Sequence, residues 1–108
     1  MAQTFRERVY ECVKLIPTGR VSTYKDIANL LGEPNSCRAV GQALKTNPFS
    51  PVVPCHRVIK SDGKVGGFQG TPNSKEKVMM LEKEGVRIID GKVKDRSFFY
   101  VLQASFDR

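Results

Sequence analysis

The chain has 108 residues, 40% of them hydrophobic, which is enough for one modest core and leads us to expect a single compact domain. Eighteen Lys and Arg against eleven Asp and Glu give a net charge of +7. On charge alone, a polyanionic partner such as nucleic acid and a basic surface that merely keeps the protein soluble are equally open. No apolar run reaches the length of a membrane span, and the first 16 residues lack the layout of a signal peptide. A protein without membrane contact, intracellular and either cytoplasmic or nucleoid-associated, is the expectation.

Residues 4–16 form a predicted helix, because Phe5, Val9, Cys12, Val13 and Ile16 fall on one apolar stripe. Cys12 lies on that stripe and reads as a core residue. Pro17-Thr18-Gly19 ends the helix. In VSTYKDIANLLG, Thr23 and Asp26 have capping-box spacing, Ile27, Ala28, Leu30 and Leu31 form the buried side, and Gly32 closes the helix. The turn Glu33-Pro34-Asn35 leads to SCRAVGQALK, a second short helix capped by Asn35 or Ser36. Two short helices across a tight turn on a basic chain form a helix-turn-helix pattern.

The second helix is rich in small residues: Ser36, Cys37, Ala39, Gly41 and Ala43. Small residues allow close approach to the backbone, either by another helix or by a DNA groove. Arg38 projects from this surface and favours DNA, so Ser36, Cys37, Arg38, Ala39 and Gly41 are candidate DNA-contacting residues, and Thr23, at the start of the preceding helix, is counted with them.

Farther along, residues 52–53 read as a short buried extended run stopped by Pro54. Residues 58–60 and 64–65 form a predicted hairpin around Ser61-Asp62-Gly63. Residues 66–70 are a glycine-rich loop. A helix is expected over 74–84, with Val78, Leu81 and a methionine facing inward and Gly85 after it. Residues 86–93 form a second hairpin at the Asp90-Gly91 turn. The apolar FFYVL of the tail packs on the core. There are no internal repeats or linkers, and one α/β domain over residues 1–108, winged-helix-like with small β-hairpins, is the expected architecture.

Three cysteines (Cys12, Cys37, Cys55) are an odd count without CxxC spacing, which points away from a disulfide framework and to a reducing compartment. With one histidine they lack the short-spaced ligand pairs of a structural zinc site, so no metal is expected. That histidine, His56, directly follows Cys55 in PCHR. Only a thiolate is a strong nucleophile, and a base oriented by a third group is the usual activator. Adjacent side chains on a strand diverge. A proton link between the two therefore runs through a water or a kink at Pro54, and the orienting carboxylate comes from elsewhere in the chain. A buried structural thiol beside a packing histidine is the competing reading, and the dipeptide does not decide between them.

PCHRVIKSDGKVGGF, preceded by GRVSTYKDIA and RAVGQALKTNP and followed by LEKEG, closely resembles the DNA-binding, catalytic domain of the O6-alkylguanine-DNA alkyltransferases, the methylated-DNA–protein-cysteine methyltransferases. The resemblance covers about residues 5–89. It implies a relay of Cys55, a water, His56 and Glu84, with Asn47 holding the active-site turn. It implies minor-groove binding by the second helix, with Arg38 filling the space of a flipped nucleotide. Tyr24 then assists flipping and donates a proton towards guanine N3. Val65, Gly66, Phe68, Gln69 and Gly70 match the substrate pocket.

The implied reaction is direct, irreversible transfer of the O6-alkyl group of guanine in double-stranded DNA to Cys55. It is a single turnover by a monomer with no cofactor or metal. Flipping is required because a thiol cannot reach the alkyl carbon inside a duplex.

The chain departs from the family in four respects. The sequence starts close to the first helix, so the family's N-terminal domain is expected to be absent. Gln69 stands near a position often held by Ser, and 71–74 is slightly long, both of which bear on the adducts accepted. Cys37 stands where Ala is common. Two other readings compete. A non-catalytic alkyltransferase-like lesion binder typically lacks the cysteine that PCHR retains. A winged-helix regulator needs a polar, base-reading recognition helix, which this small-residue helix is not.

Overall fold

The computed structural model describes residues 3–67 and 74–102. Helix α1 spans Phe5–Val13. Thr4 accepts from the Glu7 backbone N–H while the Glu7 side chain accepts from the Thr4 N–H, so two orphan donors are satisfied reciprocally. The α-helix ends earlier than its apolar stripe. Leu15 and Ile16 bond three residues back, to Cys12 and Val13, and this tightening still delivers Ile16 to the core.

Strand β1 (Ser22–Thr23) runs directly into α2 (Tyr24–Leu30), whose first turn is capped by Thr23 accepting from the Asp26 N–H at 3.0 Å. Gly32 follows at φ +77°, the left-handed conformation that ends a helix cheaply only with glycine. Helix α3 is Cys37–Lys45. Ser36 sits at its N-cap position but makes no side-chain cap; its hydroxyl donates to the Glu33 carbonyl at 2.6 Å. The three helices share a core of Val9, Val13, Ile16, Ile27, Ala28, Val40, Ala43 and Leu44, all buried. Tyr10 joins them, donating from its hydroxyl to the Ala43 carbonyl at 2.9 Å and so tying α1 to α3. The helix-turn-helix is thus α2 and α3, packed on α1.

The strand between Pro54 and Lys60 has a partner that sequence does not predict. Strand β2 (Val58–Ile59) pairs parallel to β1, Ser22 opposite Val58 and Thr23 opposite Ile59. The turn at 61–63 is nonetheless present, since the Lys60 N–H donates to the Lys64 carbonyl at 3.0 Å. The second hairpin is as expected: Ile89 and Lys92 exchange both backbone bonds, with Asp90 at φ +52° and Gly91 at φ +75°. The tail gains a definite role. Val21 donates to Phe98, and Tyr100 donates to Val21 at 2.7 Å, laying the tail beside the residue before β1. Phe98 and Phe99 pack on a second core cluster of Val21, Ile59, Val65, Leu81, Val86 and Val93. Helix α4 (Lys75–Lys83), capped by Ser74, bridges this cluster to the segment that carries Cys55.

Two expectations are corrected. Residues 52–53 are not a buried extended run: they lie in a turn, Val53 is buried, and Val52 is 75% exposed. The reason is the sharp reversal that Pro51 and Pro54 impose. Residues 55–57 form a 3-10 turn instead of a strand, so Cys55 and His56 are about a third of a turn apart and do not sit on opposite faces.

Candidate active site and nucleic-acid interface

Cys55 is aimed by a compact set of backbone bonds. Pro54, at φ −80° and ψ 68°, is the centre of an inverse γ-turn, with the Cys55 N–H donating to the Val53 carbonyl at 2.8 Å. The Arg57 N–H then closes the 3-10 turn on the Pro54 carbonyl at 2.9 Å. The Val53 carbonyl also accepts from Asn47 Nδ2 at 2.9 Å, while Asn47 Oδ1 accepts from the Phe49 N–H at 2.8 Å. Asn47 is buried at the end of α3 and clamps both sides of the 47–53 loop. It connects the end of α3 to the cysteine turn. Cys55 itself is 4% exposed.

His56 is 2% exposed, and its Nε2 lies 2.9 Å from Glu84 Oε2, at the C-cap of α4. Arg57 grips the same carboxylate with Nε to Oε1 at 3.0 Å and Nη2 to Oε2 at 2.8 Å. Its remaining donors reach the Ile16 carbonyl and the Thr18 hydroxyl, each at 2.9 Å. Burial pushes the Glu84 carboxyl up, but the bonds from Arg57 and His56 outweigh it and bring it down to about 2. Burial lowers the His56 pKa against the opposing pull of Glu84, so the imidazole is neutral near pH 7. An ionised carboxylate can only accept, so Nε2 carries the ring proton and Nδ1 is left as the acceptor. That Nδ1 is buried and has no protein partner among the described residues. The arrangement is a neutral imidazole oriented by a carboxylate next in sequence to a thiol, which chemically can serve as a general base.

Tyr24, the first residue of α2, is half-buried on the same side of the molecule. Burial, and then the charge of Cys55, push its phenol up to about 12, so it is a proton donor at neutral pH. Lys77 of α4 donates to its oxygen at 3.4 Å and to the Gly67 carbonyl at 3.0 Å.

On α3, Arg38 and Ala39 are exposed, Ser36, Cys37 and Gly41 are half-buried, and Val40, Ala43 and Leu44 face the core. A methyl group added at Gly41 would meet nothing within 4 Å, so the outer surface there is shallow and open. Thr23 is buried with its hydroxyl committed to capping α2, which withdraws it from this surface. Val65 is buried in the second core cluster, and Gly66 sits over the Lys60 stem at φ +76°. Phe68, Gln69 and Gly70 lie outside the described residues. Among the described residues, no three His, Cys, Asp or Glu side chains cluster in a way that could hold a metal, and Cys12, Cys37 and Cys55 are free thiols. No helix among them is long and apolar enough to cross a membrane.

Two residues of this site are not singled out by the sequence reading. Arg57 belongs to PCHR, and its adjacency to His56 was the available signal. Lys77 stands at i and Leu81 and Glu84 at i+4 and i+7, so a lysine on the inward stripe of α4 marked it.

The family model of the 6-O-methylguanine DNA methyltransferase, DNA binding domain, matches residues 4–86. The methylated-DNA–protein-cysteine methyltransferase of Methanosarcina barkeri is 42% identical over 83 residues, 77% of this chain and 52% of that protein. Its namesake in Mycobacterium tuberculosis is 43% identical over 79 residues, 73% of this chain and 48% of that protein. The chain thus spans about half the length of these relatives. A crystal structure of Mycobacterium tuberculosis OGT in complex with DNA superposes with a TM-score of 0.69 at 40% identity, over 78% of this chain and 51% of that one. S. pombe Atl1, in complex with damaged DNA containing O6-carboxymethylguanine, superposes with a TM-score of 0.81 at 34% identity. That likeness covers 92% of this chain and 98% of the other.

Proposed function

Because the chain belongs to the 6-O-methylguanine DNA methyltransferase family through that family's DNA-binding domain, we propose that it repairs O6-alkylguanine in duplex DNA by moving the alkyl group to Cys55. One observation carries this reading: the buried, neutral His56 is held by Glu84 through Nε2 and keeps Nδ1 as an acceptor next to the only thiol of the PCHR turn.

The steps follow from the geometry. The basic surface and exposed Arg38 engage the phosphates and the base stack, and the open, small-residue face of α3 lies along the minor groove. The flipped guanine enters the pocket beside Cys55. A water at His56 Nδ1 relays the thiol proton to the imidazole, and Glu84 stabilises the imidazolium that forms. The thiolate then attacks the alkyl carbon. The sulfur–carbon bond forms as the carbon–O6 bond breaks, and the electron pair returns to guanine as Tyr24 supplies a proton to the ring nitrogen. The thioether product is stable, so each molecule reacts once. In this reading the one domain both binds DNA and carries out the transfer.

A second reading, lesion recognition without transfer, draws on the nearly full-length likeness to Atl1. Intact-protein mass spectrometry after mixing with a duplex bearing one O6-methylguanine separates the two. The expected result is a gain of one methylene in the wild type and none in Cys55→Ser. Tight, lesion-selective binding with no mass gain would establish the second reading in place of the first.

A further inference from the structure

Lys77 is 1% exposed and heads the fully buried side chains in size. It occupies a place on the inward stripe of α4 that an apolar residue normally fills. Among the described residues no carboxylate pairs with it. The titratable and charged groups facing it are Tyr24 from α2, Cys55 and His56 from the 3-10 turn, and Lys60 at the end of β2. A buried cation without a counter-ion is costly and neutralises readily. Burial accordingly lowers this ammonium's pKa to about 7, with the charge of Cys55 pulling the other way.

What Lys77 does make is two bonds that meet at one point. Nζ donates to the Gly67 carbonyl at 3.0 Å and to the Tyr24 oxygen at 3.4 Å, and it lies 5.6 Å from the centre of the Tyr24 ring. A phenol oxygen that already accepts from an ammonium must place its own O–H elsewhere. A charged donor also polarises that O–H and works against the burial that holds its proton on.

We propose that Lys77 is a positioning residue for alkyl transfer, which orients and polarises the Tyr24 hydroxyl towards the flipped base while held in place by the Gly67 carbonyl. This rests on the transfer reaction proposed above. When the phenol proton passes to guanine, the phenolate left behind takes a proton from the ammonium, and the neutral amine that results is reprotonated from solvent after the base leaves. Lys77 touches neither the base nor the sulfur; it acts through Tyr24.

Single-turnover transfer to an O6-methylguanine duplex, measured for wild type, Lys77→Met, Tyr24→Phe and the double variant, tests this. Lys77→Met should slow transfer about tenfold, less than the roughly hundredfold or more that loss of a proton donor itself costs. In the Tyr24→Phe background the same change should cost less than about twofold, because the two residues act as one unit. The alkaline limb that Lys77 deprotonation gives the wild-type pH profile should be missing in Lys77→Met. Lys77→Gln serves if the methionine variant does not fold. Equal rates for Lys77→Met and wild type, or effects that simply multiply, would overturn the proposal. If the wild type transfers nothing, the reaction reading fails by itself, and the same four proteins are compared for lesion-over-guanine affinity. Non-additivity there keeps the Lys77–Tyr24 unit, and additivity removes it.

Discussion

His56 and Glu84 are 28 residues apart in sequence and 2.9 Å apart in space, and the carboxylate that orients the imidazole is gripped from its other side by Arg57. Three side chains from two elements therefore settle which nitrogen of His56 is basic. Glu84→Gln presents an amide that can donate as well as accept, and it loses the charge that stabilises an imidazolium. Transfer to Cys55 should fall by about a hundredfold, in line with loss of general-base function. Unfolding stability should drop by about 2–3 kcal/mol, because Arg57 is left with a neutral partner. Quenched-flow transfer and urea denaturation check the two effects separately.

The same carboxylate sets a pH limit on stability. Its folded pKa of about 2 lies below the ordinary 4.5, so the unfolded chain binds more protons between those values. The contribution of Glu84 is complete above about pH 4.5 and disappears as pH falls through about 2. Wild type should lose stability across that window more steeply than Glu84→Gln. Parallel curves for the two proteins would count against the ion pair as its source.

Arg38 is exposed on α3 with no hydrogen bond or ion pair tying it back to the protein among the described residues, which leaves it available for the DNA contact proposed for it. Arg38→Ala should lower both affinity for the lesion duplex and the transfer rate, with little change in thermal stability. Binding of wild type should weaken as salt rises, with a log–log slope set by the number of phosphates contacted. Titrations at several salt concentrations read both.

Asn47 joins α3 to the Cys55 turn through the Val53 carbonyl and the Phe49 N–H. Asn47→Ala would leave buried backbone groups short of a partner, at a cost of about 2–3 kcal/mol. It should also slow transfer even at saturating DNA, because the thiol is no longer aimed. Asn47→Asp restores the bond to Phe49 alone and should recover only part of the stability.

Much of this was legible along the chain. The capping box at Thr4–Glu7, the Thr23 cap, the Asp90-Gly91 hairpin and the inward stripe of α1 depend on neighbours within a few residues, and local rules reach them. The parallel pairing of β1 with β2 was not legible, since it joins residues 36 apart by backbone bonds that any sequence can make. The approach to PCHR misled for a related reason: Val52 and Val53 favour a strand, but Pro54 and the Asn47 clamp impose a γ-turn followed by a 3-10 turn.

By itself the sequence determined the helix-turn-helix, the basic surface, and the presence of a thiol, an imidazole and a distant carboxylate in motifs of one family. The tertiary structure decided which of these groups act on each other. The Nε2–Glu84 bond leaves Nδ1 as the base, the Val53 carbonyl aims the cysteine, and Lys77 lies buried against Tyr24. The division has a physical cause: propensity, capping and periodicity are short-range, whereas tautomer, burial and field depend on what the fold packs around each group.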